Sequence, residues 1–277
     1  MKKVQFVFVI VVYRNTEDLE EFIESINKFD IDNEKIIVNN YYDDNSMNKC
    51  YSIAKKFGCS FINVENKGYG FGNNRGIEYA NKHFHYEFLI VSNPDIIIKK
   101  FDKNELLKLK GTVIGPIIKT PKMKSQNPYW YLNNRVCEWM IYKGYKHKSK
   151  IMLYSGIAIN KAIRELFLMI FRKSKKKYSK VFALHGSFVI FSYDVLKKIG
   201  LPYDEEMFLF AEEAHIAHLL KRNGIKSYIS KDIEVLHKED GSMTISNINE
   251  KTESRKSVLT YYTKWHKNIR KESEFLL

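Results

Sequence analysis

Cysteine is scarce in this chain. Cys50, Cys59 and Cys137 are the only three, and no two form a C-x-x-C pair. That argues against a disulfide framework, and so odd and sparse a set reads as reduced thiols of a cytosolic protein. No apolar stretch reaches about 20 residues, so no helix of bilayer-spanning length is expected. Repeats and low-complexity linkers are absent, which leaves one domain with a C-terminal extension as the simplest parse. Acidic residues are outnumbered: 46 Lys and Arg against 32 Asp and Glu leave a formal net charge of +14. Such a balance points to an anionic partner, whether nucleic acid, an acidic membrane surface or a phosphorylated substrate. The excess is mostly lysine and no aromatic-plus-arginine module of the RRM kind is visible, so a nucleic-acid reading rests on charge alone. The opening "MKKVQFVFVIVVYRN" imitates a signal peptide. It lacks a small-residue cleavage site and runs straight into a polar helical segment, so it reads as a buried first strand.

What is present alternates. Phe6–Tyr13 is a β-rich run, and Leu19, Phe22, Ile23 and Ile26 stand at helical spacing within Glu17–Lys28. Strands are expected at Lys35–Val38, Phe61–Val64, Glu87–Val91 and Thr112–Ile118, with helices from Ser46 to Phe57 and over Asn73–Lys82. A β-α-β-α-β-α-β order predicts an α/β fold with a doubly wound, mostly parallel, Rossmann-like sheet. Ligands of such sheets bind beyond the carboxyl ends of the strands, which directs attention to "YRNTED", "NNYYDDNS", "ENKGYGFGNN" and "SNPD". Lys119–Lys150 shows little periodicity and reads as a long loop region. Ile151–Phe171 is mostly apolar and precedes "RKSKKKYSK". It is either an interfacial helix whose basic flank attracts acidic lipid or a core-facing helix ending in a solvated charge run. A strand and helix follow in "HGSFVIFSYDVLKKIG", then a loop and helix, a strand ending in "VLHKEDGSM", and a basic helical tail over Ser254–Ile269.

Several stretches carry chemistry. "VENKGYGFGNNRGIEYA" places Gly68, Gly70 and Gly72 ahead of a helix, where bare backbone N–H groups and the positive helix end suit an anion. It is not a dinucleotide fingerprint, because it follows the third strand and the first βα turn has no glycine. Nor is it a P-loop, because no Gly-Lys-Ser/Thr follows. In "VSNPDIII", Asp95 follows a buried strand and is either a divalent-cation ligand or a turn-capping residue. Glu212 and Glu213 are adjacent acids about 100° apart on a helix, so only one is expected to face a given pocket. That one has the makings of a general base with a raised pKa, against the alternative of two solvated acids at a helix N-terminus. Glu212-x-x-His215 and Glu234-x-x-His237 match di-iron spacing but not a di-iron bundle, since the chain reads α/β. His237, at a strand end, stays a candidate metal ligand.

In this order the stretches resemble the family 2 glycosyltransferases of the GT-A fold, in particular the bacterial rhamnosyltransferase-like branch that builds surface polysaccharides. The resemblance runs from Phe6 to about Met243 through "VVYRN", "IIVNNYYDDNS", "ENKGYGFGNNRGIEYA", "SNPDI", "HGSFVIFS", "LPYDEEMFLFAEEAHIA" and "VLHKEDGSM". It implies a glycosyltransferase domain over residues 1–243, with a nucleotide-sugar-binding half at 1–118 and an acceptor and catalytic half at 119–243. Residues 244–277 would be a basic helical extension on the acceptor side. The implied reaction is inverting transfer from a UDP- or dTDP-sugar to a hydroxyl of a glycan acceptor, lipid-diphosphate-linked, in capsular or O-antigen-type synthesis. The enzyme would be cytoplasmic and peripheral on the inner face of a bacterial membrane, with no nucleic-acid partner and homo-oligomerisation left open. Tyr13, Asn15, Asn39 and Asp44 would hold the base and ribose, and Asn66, Gly68, Gly72, Asn73 and Asn74 would lie along the donor. Asn93-Pro94-Asp95 stands at the D-x-D position, so Asp95, completed by His237, would bind Mn²⁺ or Mg²⁺. Glu212-Glu213 stands where the family has Glu-Asp, making Glu213 the base. Asn39 and Asn93 replace acids of the family pattern, and Glu213 is one methylene longer than the usual Asp. Asn39 and Asn93 motivate a second reading, a catalytically inactive scaffold subunit; a nucleotidyltransferase is the enzymatic alternative.

Overall fold

A computed structural model describes residues 1–239 and 249–267. The expected boundary at 243/244 and the last residues of the helix expected over Ser254–Ile269 lie outside the described residues.

The first half of the chain runs β1 (Lys2–Lys3), β2 (Phe6–Val12), α1 (Glu17–Asn27), β3 (Asn33–Tyr41), α2 (Asp44–Phe57), β4 (Ser60–Glu65), α3 (Tyr69–His83), β5 (Phe84–His85), β6 (Phe88–Ser92), β7 (Ile96–Phe101) and α4 (Lys103–Leu107). Then come β8 (Val113–Lys119), α5 (Arg135–Lys146), α6 (Lys150–Lys173), β9 (Tyr178–Val181), β10 (Phe188–Ser192), α7 (Tyr193–Ile199), α8 (Glu212–Arg222) and β11 (Ser227–His237). Helix α9 (Glu250–Tyr262) continues into one π-helical turn, Thr263–Lys267. The main sheet has the order β4-β3-β2-β6-β10-β8-β11-β7, with β9 paired to the first half of β11.

Strand β2 reads FVFVIVV and is buried at every residue, as a central strand covered on both faces must be. Its side chains alternate between two layers. Phe6, Phe8, Ile10 and Val12 pack with Leu19, Phe22, Ile23 and Ile26 of α1 and with Cys50 and Ile53 of α2. Val7, Val9 and Val11 pack with Ile77 and Ala80 of α3 and with Ile216 and Leu220 of α8. Each large apolar side chain sealed in this way contributes about 1.5–3 kcal/mol, so the doubly wound arrangement follows from the apolar pattern of the strands. Local signals set the helix ends: the Asp43 side chain accepts from Ser46 N–H at 2.7 Å to open α2, and Gly58 closes it in the left-handed conformation.

The parallel order β4-β3-β2-β6 is interrupted by β10, antiparallel to both β6 and β8. Its register pairs Phe188 with Ser92, and Asn93 N–H donates to Ser187 O at 3.0 Å. The residues leading into β10 therefore lie at the same edge as the residues leaving β6. At the far side β11 pairs with β7 so that His237 faces Ile96.

Three expectations need correcting. The supposed loop over Lys119–Lys150 contains α5, capped by Asn134, whose side-chain oxygen accepts from Val136 and Cys137 N–H at 3.1 Å. It buries only Cys137, Glu138, Tyr142 and Gly144, too sparse an apolar stripe to register as a period. Strand β7 is likewise additional. Helix α3 begins at Tyr69, so Gly70 and Gly72 lie inside it. The apolar segment after α5, helix α6, has two characters: it buries Gly156, Phe167, Leu168 and Phe171, yet Ile151, Tyr154, Ala158, Ala162, Leu166 and Met169 form an exposed stripe at i+3/i+4 spacing. No described helix is long and apolar enough to cross a membrane.

Candidate active site

A cavity of about 600 Å³ opens where β2, β3 and β6 end and β10 begins. Tyr13 and Asn15 follow β2, Asn40 sits near the end of β3, and Asn66, Gly68 and Tyr69 lead into α3. Asn93, Pro94 and Asp95 follow β6, His185, Gly186 and Ser187 precede β10, and Glu212, Glu213 and His237 complete the wall.

The glycine turn works as a clasp. Gly68 has φ 111°, and a Cβ there would meet Phe208 O at 2.3 Å. That closeness lets Tyr69 N–H donate to Phe208 O at 2.9 Å while Gly68 O accepts from Asn40 Nδ2 at 3.1 Å. The Tyr69 hydroxyl donates to Gly186 O at 2.9 Å. Three walls of the cavity are thus tied together by one turn.

Asp95 is buried, and the β11–β7 register sets His237 beside it, Nε2 to Oδ2 at 3.3 Å. Gln126 fixes the imidazole. Its Nε2 donates to Glu239 Oε1 at 2.8 Å, which turns its Oε1 towards His237 Nδ1 at 2.7 Å as the acceptor. In the neutral imidazole Nε2 then carries a lone pair facing a carboxylate. Two acceptors at that separation call for a cation between them, a proton or a metal ion. The donor set, one carboxylate and one imidazole in an open cavity, fits a divalent ion that takes its remaining ligands from phosphate and water.

His185 is held from two sides: Asn127 Oδ1 accepts from its backbone N–H at 3.0 Å, and Ser187 N–H donates to its Nδ1 at 3.2 Å. Burial, followed by the neighbouring His237, pushes its pKa down to about 3. It is a neutral imidazole whose Nε2–H is a donor.

Phe210 and Ala211 both have positive φ, 74° and 69°, a strained pair for residues other than glycine. This turn delivers both Glu212 and Glu213 to the cavity, where a regular helix was expected to present only one. Glu213 Oε1 accepts from Gly186 N–H at 3.3 Å, whereas Glu212 Oε1 is buried without a partner. Burial raises the pKa of both, and the charge of Glu213 adds to the rise at Glu212.

Of the residues singled out from the sequence, Tyr13, Asn15, Asn66, Gly68, Asn93, Asp95, Glu212, Glu213 and His237 gather round this cavity. Asn39, Asp44, Gly72, Asn73 and Asn74 are not among its lining residues. Asn39 lies on the opposite face of β3 from Asn40 and donates to Asn63 Oδ1 at 2.7 Å. Asp44 is exposed in the first turn of α2 and accepts from the Tyr41 hydroxyl at 2.9 Å. Gly72 is pressed against Asn40, a Cβ there falling 2.5 Å from Oδ1. Asn73 donates to Tyr69 O, and Asn74 to Tyr203 O and Glu205 Oε1, at 2.9–3.0 Å. Within the cavity, Asn15 also spends its side chain on α1, accepting from Glu17 N–H and donating to Asp18.

Sequence reasoning missed Asn40, Gln126, Tyr129, His185 and the wall Phe208–Phe210. His185 had a signal: "HGS" precedes a buried strand, and an antiparallel strand brings its leading end to the ligand edge. Asn40 was one residue off in register. Gln126 and Tyr129 lie in the aperiodic stretch and had none.

No protein-family model matches the chain. Its fold is that of the GT-A glycosyltransferases. It superposes over 86% of its length on 44% of GalNAc-T7, solved with UDP, GalNAc and Mn²⁺, at a TM-score of 0.60 and 12% identity. Over 85% of its length it superposes on 57% of the mannosyltransferase PcManGT from Pyrobaculum calidifontis, in complex with GDP-Man and Mn²⁺, at a TM-score of 0.51 and 13% identity. Among curated proteins it is similar to the low-salt glycan biosynthesis hexosyltransferase Agl10 of Haloferax volcanii, 24% identical over 187 residues. That match covers 65% of this chain and 51% of the relative, so the chain matches about half the relative's length.

Proposed function

We propose that the chain is an inverting, metal-dependent hexosyltransferase that moves a sugar from a UDP- or dTDP-sugar to a hydroxyl of a glycan acceptor. The observation that carries this reading is one cavity holding both a cation-demanding Asp95–His237 pair and an adjacent pair of acids, the buried Glu212 and the half-buried Glu213. The hexosyltransferase similarity and the fold support it.

A Mn²⁺ or Mg²⁺ ion held by Asp95 and His237 would offset the charge that develops on the departing diphosphate. The other steps belong to side chains. Glu213, whose carboxylate the Gly186 N–H stabilises, takes the proton of the acceptor hydroxyl. The acceptor oxygen bonds to the anomeric carbon as the bond from that carbon to the diphosphate oxygen breaks. The bonding pair leaves with the nucleoside diphosphate, and a single displacement inverts the centre. A carboxylate whose pKa is raised by burial is a stronger base for this transfer. Glu212, with an unpartnered oxygen, carries the proton the pair cannot release cheaply.

The acceptor in this reading is a lipid-diphosphate-linked glycan at the inner face of a bacterial membrane, as for the rhamnosyltransferase-like branch of capsular or O-antigen-type synthesis. The exposed apolar stripe of α6 running into Lys173, Lys175, Lys176 and Lys177 supports an anionic lipid surface as its occupant.

The test is a thermal-shift panel of UDP-, dTDP-, GDP- and CMP-sugars with and without Mn²⁺, followed by turnover assays. One nucleotide-sugar should stabilise the fold only with metal, and turnover should fall about 10²–10⁴-fold in Glu213→Gln. Asp95→Ala should abolish the metal-dependent shift. A flat panel on cooperatively melting protein, or turnover untouched by Glu213→Gln, would overturn the proposal and favour the inactive scaffold.

A further inference from the structure

Away from the cavity, three elements distant in sequence converge on one buried carboxylate. Glu138 of α5, His218 of α8 and His266 of the π-helical turn each contribute a possible ligand atom, all within 4.8 Å of one another. None of the three lines the active-site cavity. The Glu138 side chain is fully buried, and its Oε2 lies 2.6 Å from His266 Nε2, 2.8 Å from the Tyr261 hydroxyl and 3.1 Å from His218 Nε2. Three groups crowd an oxygen that has two lone pairs. The rings are held from behind: His218 stacks on Trp265 with centroids 5.4 Å apart and meets Phe182 edge-on at 5.1 Å.

We propose that Glu138, His218 and His266 form a structural transition-metal site, of the kind taken by Zn²⁺, that staples residues 249–267 onto α5 and α8. One carboxylate and two imidazoles are a zinc-type donor set with a fourth position left for the Tyr261 oxygen or water. Tetrahedral ligand atoms about 2.0–2.1 Å from zinc stand roughly 3.3 Å apart; the carboxylate–imidazole separations of 2.6 and 3.1 Å fall just inside that, and all three ligand atoms lie within 4.8 Å of one another. The consequence reaches the active site. Ser257 Oγ donates to Leu209 O at 2.7 Å and Lys264 Nζ to Asp204 Oδ2 at 2.6 Å, so the stapled segment braces the chain that carries Phe208–Ala211 into the cavity wall.

The alternative is a hydrogen-bonded hub without metal, and glutamine separates the two, since its amide still donates to Glu138 but binds Zn²⁺ poorly. Zn²⁺ content and Zn²⁺-dependent melting are measured in full-length Asp95→Asn protein, which removes the cavity's own carboxylate ligand. One equivalent of Zn²⁺ should persist, and adding His266→Gln or His218→Gln should weaken Zn²⁺ affinity at least tenfold and abolish the Zn²⁺-dependent rise in Tm. Absence of bound Zn²⁺ in Asp95→Asn, or equal binding by the glutamine variants, overturns the proposal. Should one glutamine variant fail to fold, the other and the Asp95→Asn stoichiometry still decide it.

Discussion

Replacing Gly68 by alanine tests whether the glycine turn holds the cavity together. At φ 111° a residue with a Cβ is strained by about 1–3 kcal/mol. The added methyl would also sit 2.3 Å from Phe208 O, a backbone atom with no rotamer to yield. Moving that carbonyl breaks the Tyr69 N–H bond to it, worth about 0.5–1.5 kcal/mol net. The expected destabilisation is about 2–4 kcal/mol, on the order of 5 °C in Tm for a chain of this size. Gly58 supplies the control, because it also has positive φ, 65°, but nothing lies within 4 Å of its Cβ position. Gly58→Ala should cost only the left-handed strain of about 1–2 kcal/mol, and the unfolded-state gain of a Gly→Ala change is common to both. Urea unfolding of the two variants, with m unchanged, isolates the contact, and donor affinity should fall in Gly68→Ala alone. Equal destabilisation of the two, within about 0.5 kcal/mol, would refute the clasp.

Three further outcomes are expected. His185 is buried neutral, so as pH falls below 6.5 towards about 3 the unfolded state binds a proton that the folded state refuses, and stability is lost at about 1.4 kcal/mol per pH unit. Glu212 has the opposite sign: above its ordinary 4.5 the unfolded state releases a proton that the folded state retains, so stability falls as pH rises towards the raised folded value. Chemical denaturation across pH should show His185→Gln flattening the acid limb and Glu212→Gln the basic one, and unchanged limbs would contradict the burial argument. Replacing Lys173, Lys175, Lys176 and Lys177 by glutamine should reduce binding to anionic vesicles, by about 1 kcal/mol per lysine at low salt, while leaving binding to neutral vesicles unchanged. Undiminished binding to anionic vesicles would remove the membrane from the proposal.

The alternating half of the chain was legible because its periods are strong. β2, β3, β4 and β6 and the helices between them follow from runs of branched apolar residues and from i+3/i+4 spacing, which fix how each segment must be buried whatever its neighbours. The carboxyl-edge rule then brought Tyr13, Asn93 and Asp95 to the cavity, and the strand ending in His237 did the same. Helix α5 was not legible, since a helix packed mainly against another helix buries few of its residues and leaves no clear stripe.

Facing direction was beyond the sequence as well. Asn39 and Asn40 are interchangeable in composition, and only the register of β3 decides that one meets Asn63 and the other Gly68. The antiparallel entry of β10 brought His185 to an edge where the parallel rule did not look for it. The left-handed turn at Phe210 and Ala211 turned both acids inward. Glu138, His218 and His266 are separated by 80 and then 48 residues, and no local pattern announces their meeting. Short-range periodicity is written along the chain and determined the elements. Register, strand direction and the convergence of distant residues arise only when those elements bury their faces against one another, so only the tertiary structure decided them.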